Sequence, residues 1–140
     1  MIRVAIAEDA ESIAGLSLQL GYKTSKDEMQ VRLNDAFIDD QNAIYVAEVD
    51  GKILGWIQVA VRQTIESGKY AEITGLVVDK TSRGKGLGRS LVIHAEEWAR
   101  KSAQQKLRVR TNVIRIEAPL FYRALGFEEI KKQSVFTKQL

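Results

Sequence analysis

Three alternate glycines, Gly84, Gly86 and Gly88, stand among Arg83, Lys85 and Arg89 in the stretch from Leu76 to Leu91. Without Cβ atoms the main chain there can approach another molecule closely, and several N–H groups can converge on one point. Leu76-Val77-Val78 before the glycines reads as an apolar strand, and the pattern from Leu87 onward reads as a helix. The first turn of a helix adds unpaired N–H donors and the positive end of its dipole. Together these residues make an anion site suited to a phosphate or pyrophosphate. Gly86-Leu87-Gly88-Arg89 lacks the glycine-lysine-serine/threonine ending of a P-loop, and Gly84-x-Gly86-x-Gly88 lies late in the chain and does not match the Gly-x-Gly-x-x-Gly dinucleotide fingerprint.

Bulk properties narrow the remaining chemistry. The 140 residues, 45% hydrophobic and 28% charged, predict one soluble globular domain spanning 1–140 with a real core. There is no cysteine and only one histidine, His94, which excludes disulfides and thiol metal sites and predicts no metal centre. The chain starts at Ile2-Arg3-Val4 without a charged-then-apolar leader, and no run approaches a membrane span, so a cytoplasmic protein without a membrane partner is expected. The net charge of +3 invites a nucleic-acid reading, but the cations are mixed with acids and no binding module appears. The dense basic cluster Arg83, Lys85 and Arg89 suits a small polyphosphate better than a duplex.

The elements that must hold this loop follow from periodicity. Ile2 to Ile6 alternates as a short strand; Asp9 is placed to cap a helix carrying Ile13, Leu16 and Leu20, ended by Gly21. Ser25-Lys26-Asp27-Glu28 fits a capping box for a second helix with Met29, Leu33 and Phe37 inward. Ala43 to Val49 and Lys52 to Val61 form a hairpin through Asp50-Gly51. A polar loop from Arg62 to Lys69 leads into a strand from Tyr70 to Val78. Leu87, Leu91, Ala95, Trp98 and Ala99 then share one helix face, with His94 at its edge as a structural residue. Leu107 to Thr111 reads as a strand, Pro119 opens a last helix bearing Phe121 and Tyr122, and Gly126 ends it. Phe127 to Ile130 and Val135 to Thr137 complete the sheet.

Arg83-Gly84-Lys85-Gly86-Leu87-Gly88 resembles the acetyl-CoA signature of the GNAT superfamily of N-acetyltransferases, Arg/Gln-x-x-Gly-x-Gly/Ala. Ala118-Pro119-Leu120-Phe121-Tyr122-Arg123-Ala124-Leu125-Gly126-Phe127 is similar to a second motif of that family, Ala-x-x-Phe-Tyr-x-x-Leu-Gly-Phe. The resemblance covers nearly the whole chain. It implies a mixed α/β GNAT fold, a twisted, mostly antiparallel sheet of six to seven strands flanked by about four helices. It also implies acetyl-CoA as cosubstrate and, as acceptor, an amine of a small molecule or peptide. Family members often pair as homodimers, and nothing in the sequence decides that.

Acetyl transfer from a thioester to an amine needs no covalent enzyme intermediate. The protein must hold the cofactor, polarise the carbonyl, take a proton from the amine and supply one to the thiolate. The resemblance gives the first task to the backbone of Arg83, Gly84, Lys85, Gly86, Leu87, Gly88 and Arg89. It gives the pantetheine arm to the strand edge at Leu76, Val77 and Val78, as an added strand would bind. An N–H at Val77 or Val78 would polarise the acetyl oxygen. Tyr122 is the candidate acid for the thiolate, since it matches the tyrosine that lies near the CoA sulfur in many members, or is a packed aromatic beside Phe121 and Phe127. Glu72 is the candidate base, since burial would favour its uncharged form, or is a carboxylate paired with a lysine or arginine. Asn112 is either a hydrogen-bonding partner of the pantetheine or of a substrate, or a loop cap, because Arg115 stands where the family often has asparagine. Asp79-Lys80 replaces a common proline, with little consequence expected. Gly21 to Lys26, Arg62 to Lys69 and the aromatics Tyr22, Trp56 and Tyr70 are the candidates for shaping the acceptor site, and Arg115-Ile116-Glu117-Ala118 hints at aminoglycoside-type members. A non-catalytic acyl-CoA sensor is the alternative function.

Overall fold

Asp50 and Gly51 sit at φ 50° and 76°, the two left-handed residues of a tight hairpin turn. They fold β2 (Asn42–Val49) onto β3 (Lys52–Thr64). The same sheet, in a computed structural model that describes residues 1–140, runs in the order β1-β2-β3-β4-β5. Its other strands are β1 (Ile2–Val4), β4 (Gly68–Val78) and β5 (Leu107–Val109). Pairing is antiparallel except between β4 and β5, which run parallel. The chain divides into two compact units, Met1–Arg110, which holds this sheet, and Thr111–Leu140.

Helices α1 (Ala10–Leu18) and α2 (Lys26–Ile38) share one face of the sheet. Ile13, Ala14, Met29 and Leu33 cluster there with Ile44 and Val46 of β2, and Trp56 packs against them. The capping box at the start of α2 forms as expected: Ser25 Oγ accepts from the Glu28 N–H at 3.0 Å and Glu28 accepts from the Ser25 N–H at 3.3 Å. Phe37, expected inward, is instead 43% exposed. Asp9 precedes α1 without capping it. Its carboxylate turns back to accept two hydrogen bonds from Arg3 at 2.9 Å and one from the Ile6 N–H at 2.8 Å. Burial pushes this carboxyl up, but Arg3 and the Ile6 amide outweigh it and hold it below the usual carboxylate range.

The opposite face takes α3 (Leu87–Lys101). Side chains alternate across a strand, so Tyr45 points away from Ile44 and Val46, and its ring meets His94 of α3 at 5.7 Å. His94 donates from Nδ1 to the Ser90 carbonyl at 3.0 Å, consistent with a structural role. Leu91, Val92, Ala95 and Ala99 are the buried residues of this helix. Trp98 is only half-buried, and Val92 takes the inner position expected of it. Gly55 leaves room for Leu91, whose Cδ1 would lie 3.1 Å from any Cβ placed there.

In Thr111–Leu140, α4 (Ala118–Ala124) carries Pro119 in its first turn and ends at Gly126, φ 92°. The strands expected at Phe127 to Ile130 and Val135 to Thr137 are absent, so the sheet has five strands where six to seven were expected. Residues 128–140 are exposed, with Val135 and Phe136 at 89% and 91%. No Asn-Gly or Asp-Gly turn joins the two segments, and Glu128, Glu129, Lys131 and Lys132 keep the stretch solvated. The loop expected at Arg62 to Lys69 is also corrected: β3 runs on to Thr64 and β4 begins at Gly68.

Candidate active site

The glycine loop is braced before it begins. The Asp79 N–H donates to the Leu54 carbonyl at 2.8 Å, a bond that a proline at this position could not make. The Asp79 carboxylate accepts from the Thr81 hydroxyl and from the Thr81 N–H at 3.2 Å, and also from Gln19 Nε2 at 2.8 Å. Gln19 in turn accepts from the Lys80 N–H at 2.9 Å, so the end of α1 and the start of the loop are tied by one amide. The Thr81 hydroxyl first, and then Gln19, pull the Asp79 carboxyl down to about 2. The aspartate that stands in place of the proline thus braces the start of the loop.

Beyond this brace, Gly84 and Gly86 adopt φ 80° and 84°, values that strain any other residue. Gly86 is the residue before α3, and its carbonyl accepts the first helical bond, from Ser90 at 3.0 Å. No hydrogen bond within the chain is donated by the backbone N–H groups of Gly84, Lys85, Gly86, Leu87, Gly88 or Arg89. The side chains of Arg83, Lys85 and Arg89 are exposed around them. A run of unpaired amides at a helix start, ringed by cations, is an anion site on physical grounds alone.

The loop leads directly from an open strand edge. β4 pairs with β5 only at Ala71, Glu72 and Ile73; its register with β3 then slips at Thr74, and Thr74 to Val78 run on without a β5 partner. Those five residues span about 16 Å at the usual strand rise. The bond from Asp79 to Leu54 makes Gly55–Val78 a non-hydrogen-bonded pair and Trp56–Val77 a hydrogen-bonded one. By alternation the amides of Leu76 and Val78 face the open edge, while that of Val77 faces β3. The Arg83 side chain accordingly reaches the Val78 carbonyl at 3.3 Å from that open side. The side chains of Leu76 and Val78 are half-buried and Val77 is buried, as expected of a core strand.

Glu72 lies at the closed end of that edge. It is 5% exposed, and its two oxygens accept from different arginines, Oε1 from Arg110 and Oε2 from Arg62 at 3.3 Å. Beside it, Tyr70 is buried and carries the Arg108 guanidinium over its ring at 4.3 Å. Of the two roles read for Glu72, this geometry supports the ion-pair partner. Tyr70 and Trp56 lie on the same sheet face as Glu72, whereas Tyr22 is 64% exposed on the helix connection and completes no aromatic wall. Trp56 lies over Gly75, where a Cβ would come within 2.5 Å of the indole, and its buried Nε1 has no partner.

The second unit holds Tyr122 and Asn112. Tyr122 is buried, edge-on to Phe121 at 5.0 Å and to Phe127 at 5.5 Å. Burial, opposed by Arg115, pushes its phenol up to about 12. Asn112 Oδ1 accepts from the Ile114 N–H at 3.2 Å, which makes it a cap of its own turn. Sequence reading missed Gln19 as a brace and, while it offered Glu72 a lysine or arginine partner, did not name the arginines around it. The only signal for the latter was the alternation Arg108-Val109-Arg110 on a strand next to Glu72.

Comparison with known proteins matches residues 8–127 to the acetyltransferase (GNAT) family. An aminoglycoside N(6')-acetyltransferase type 1 of Stenotrophomonas maltophilia is 27% identical over 96% of this chain and 91% of its own length. An aminoalkylphosphonate N-acetyltransferase of Salmonella typhimurium is 28% identical over 99% of this chain and 90% of its own. A solved aminoglycoside N-acetyltransferase in complex with CoA superposes with a TM-score of 0.85 at 20% identity, over the full length of both chains, a likeness of fold.

Proposed function

The chain belongs to the acetyltransferase (GNAT) family, whose cosubstrate is acetyl-CoA, and we propose that it transfers the acetyl group directly to a primary amine of a small molecule or peptide. One observation carries the reading: unpaired loop amides at Gly84 to Arg89 are continuous with an open strand edge at Leu76 and Val78. The diphosphate of CoA accepts from the loop amides, and the exposed Arg83, Lys85 and Arg89 offset its charge. The pantetheine arm lies along Thr74 to Val78 as an added strand. An outward amide, that of Val78 or Leu76, donates to the acetyl oxygen as negative charge develops there.

The neutral amine nitrogen attacks the carbonyl carbon, and the C–S bond breaks as the tetrahedral intermediate collapses. The amine proton passes to solvent, and Tyr122, in the family's tyrosine position, donates a hydrogen bond to the departing thiolate. Glu72 is read as the residue that holds Arg62 and Arg110 in place. The sensor alternative has one observation in its favour: both oxygens of the obvious base are engaged. Thiol release from acetyl-CoA over a panel of amines separates the two. Turnover on any member supports the enzyme, and CoA binding without turnover on all of them supports the sensor.

A further inference from the structure

Side chains that alternate along β3 and across its register share one sheet face. From Trp56 that face continues through Gln58, Ala60 and Arg62; Ala60 stands opposite Glu72 and Arg62 opposite Tyr70. Glu72 in turn stands opposite Arg108, with Arg110 two residues further on. Two arginines therefore bind one carboxylate, and a third, Arg108, stands opposite it in the strand register. Arg62 and Arg110 both bind Glu72, yet their side chains stay 52% and 50% exposed. Arg108 pairs with no carboxylate and is held flat over Tyr70. The count is three positive charges against one, and the negative charge is the buried member.

This face adjoins the place where chemistry would occur. Ile73–Val109 is the last β4–β5 pair before the edge opens. Along β4, Glu72 and Leu76 are about 13 Å apart at the usual rise. An extended arginine side chain covers nearly half that distance, so an acceptor whose amine meets the thioester at the open edge has only the remainder to bridge before its far end meets a guanidinium. A polycation would meet like charge there. Guanidinium forks instead suit a phosphonate or carboxylate, which they bind through paired hydrogen bonds.

We propose that Arg62, Arg108 and Arg110 form an anion subsite for the acceptor, so that the preferred substrate is a short primary amine bearing a phosphonate or carboxylate group. Resting on the acetyltransferase reading, this names its substrate class. Glu72 positions two of the three arginines and leaves the surplus charge for the acceptor.

The test compares 2-aminoethylphosphonate, β-alanine, ethanolamine and the polycation kanamycin as acceptors, with wild type, Arg108→Gln and Arg62→Gln. One of the two anionic amines should exceed ethanolamine and kanamycin at least tenfold in kcat/KM, and their ratio tells which anion is taken. Each variant should raise KM for that amine severalfold with a smaller change in kcat, and leave KM for acetyl-CoA and ethanolamine unmoved. Equal use of ethanolamine, or preference for kanamycin, overturns the subsite. If no amine is turned over, calorimetric titration of the same amines into the CoA-saturated protein decides. Anion-selective binding lost in Arg108→Gln supports the subsite although transfer has failed, and binding indifferent to the anion, or none, overturns it. Thermal melting of both variants guards against loss of fold.

Discussion

In the proposed transfer Tyr122 would serve a leaving thiolate with a phenol that burial has pushed up to about 12. An ordinary thiol titrates near 8.5, so complete proton transfer from this phenol to a thiolate runs uphill, and a hydrogen bond to the developing charge is the better description. A hydrogen bond to a charged group contributes about 1.5–3 kcal/mol. Tyr122→Phe should therefore lower kcat by about 10- to 100-fold, with acetyl-CoA affinity little changed by calorimetry. The sign for pH follows from the raised value: the phenol keeps its proton up to about 12. The kcat/KM profile should rise with pH as the acceptor amine loses its proton and show no alkaline fall from this residue below about pH 11, the lower side of its titration. Tyr122 could be found because a motif of neighbours marks it. The partners of Glu72 could not, since Arg62, Arg108 and Arg110 come to it through strand register, which no local pattern encodes.

At the scale of elements, two aspartates organise the joints between helix and strand. Asp79 joins β4 to the loop and, through Gln19, to the end of α1. Asp79→Ala removes the acceptor for Thr81 and Gln19 and should weaken CoA binding severalfold in calorimetry while the melting temperature moves little. Asp9, nearly buried, ties Arg3 to the turn before α1. Removing one partner of such a pair costs a few kcal/mol, so Asp9→Asn should lower unfolding free energy by about 2 kcal/mol in urea at pH 7, discounted for the partly exposed Arg3. Its carboxyl is lowered from 3.8 on folding, so this stability is present above 3.8 and is lost as pH falls through the folded value. The gap between wild type and Asp9→Asn should accordingly close in strongly acidic solution. The capping box at Ser25 and the Asp50-Gly51 turn were legible because each is set by adjacent residues. Asp9 misled because its helix-capping position is also within reach of Arg3, a tertiary choice.

Over the whole chain, the order of elements through α4 was readable from periodicity and turn chemistry. The number of strands was not, because a strand exists only when a partner edge meets it. Val135 and Phe136 have strand-forming side chains and no pairing. The positive charges of Arg83, Lys85 and Arg89 are exposed and hence open to screening. CoA affinity should fall as salt is raised from about 10 mM to 1 M, over which the screening length shrinks roughly tenfold. The most direct measurement is calorimetric titration of CoA into wild type, Gly86→Ala and Gly86→Glu, each checked by thermal melting. Both variants carry the same backbone strain at φ 84°, so their difference reports the site itself. The account predicts that Gly86→Ala keeps measurable affinity and that Gly86→Glu, placing bulk and negative charge among the loop amides, loses it. Unchanged CoA binding by a folded Gly86→Glu protein would contradict it.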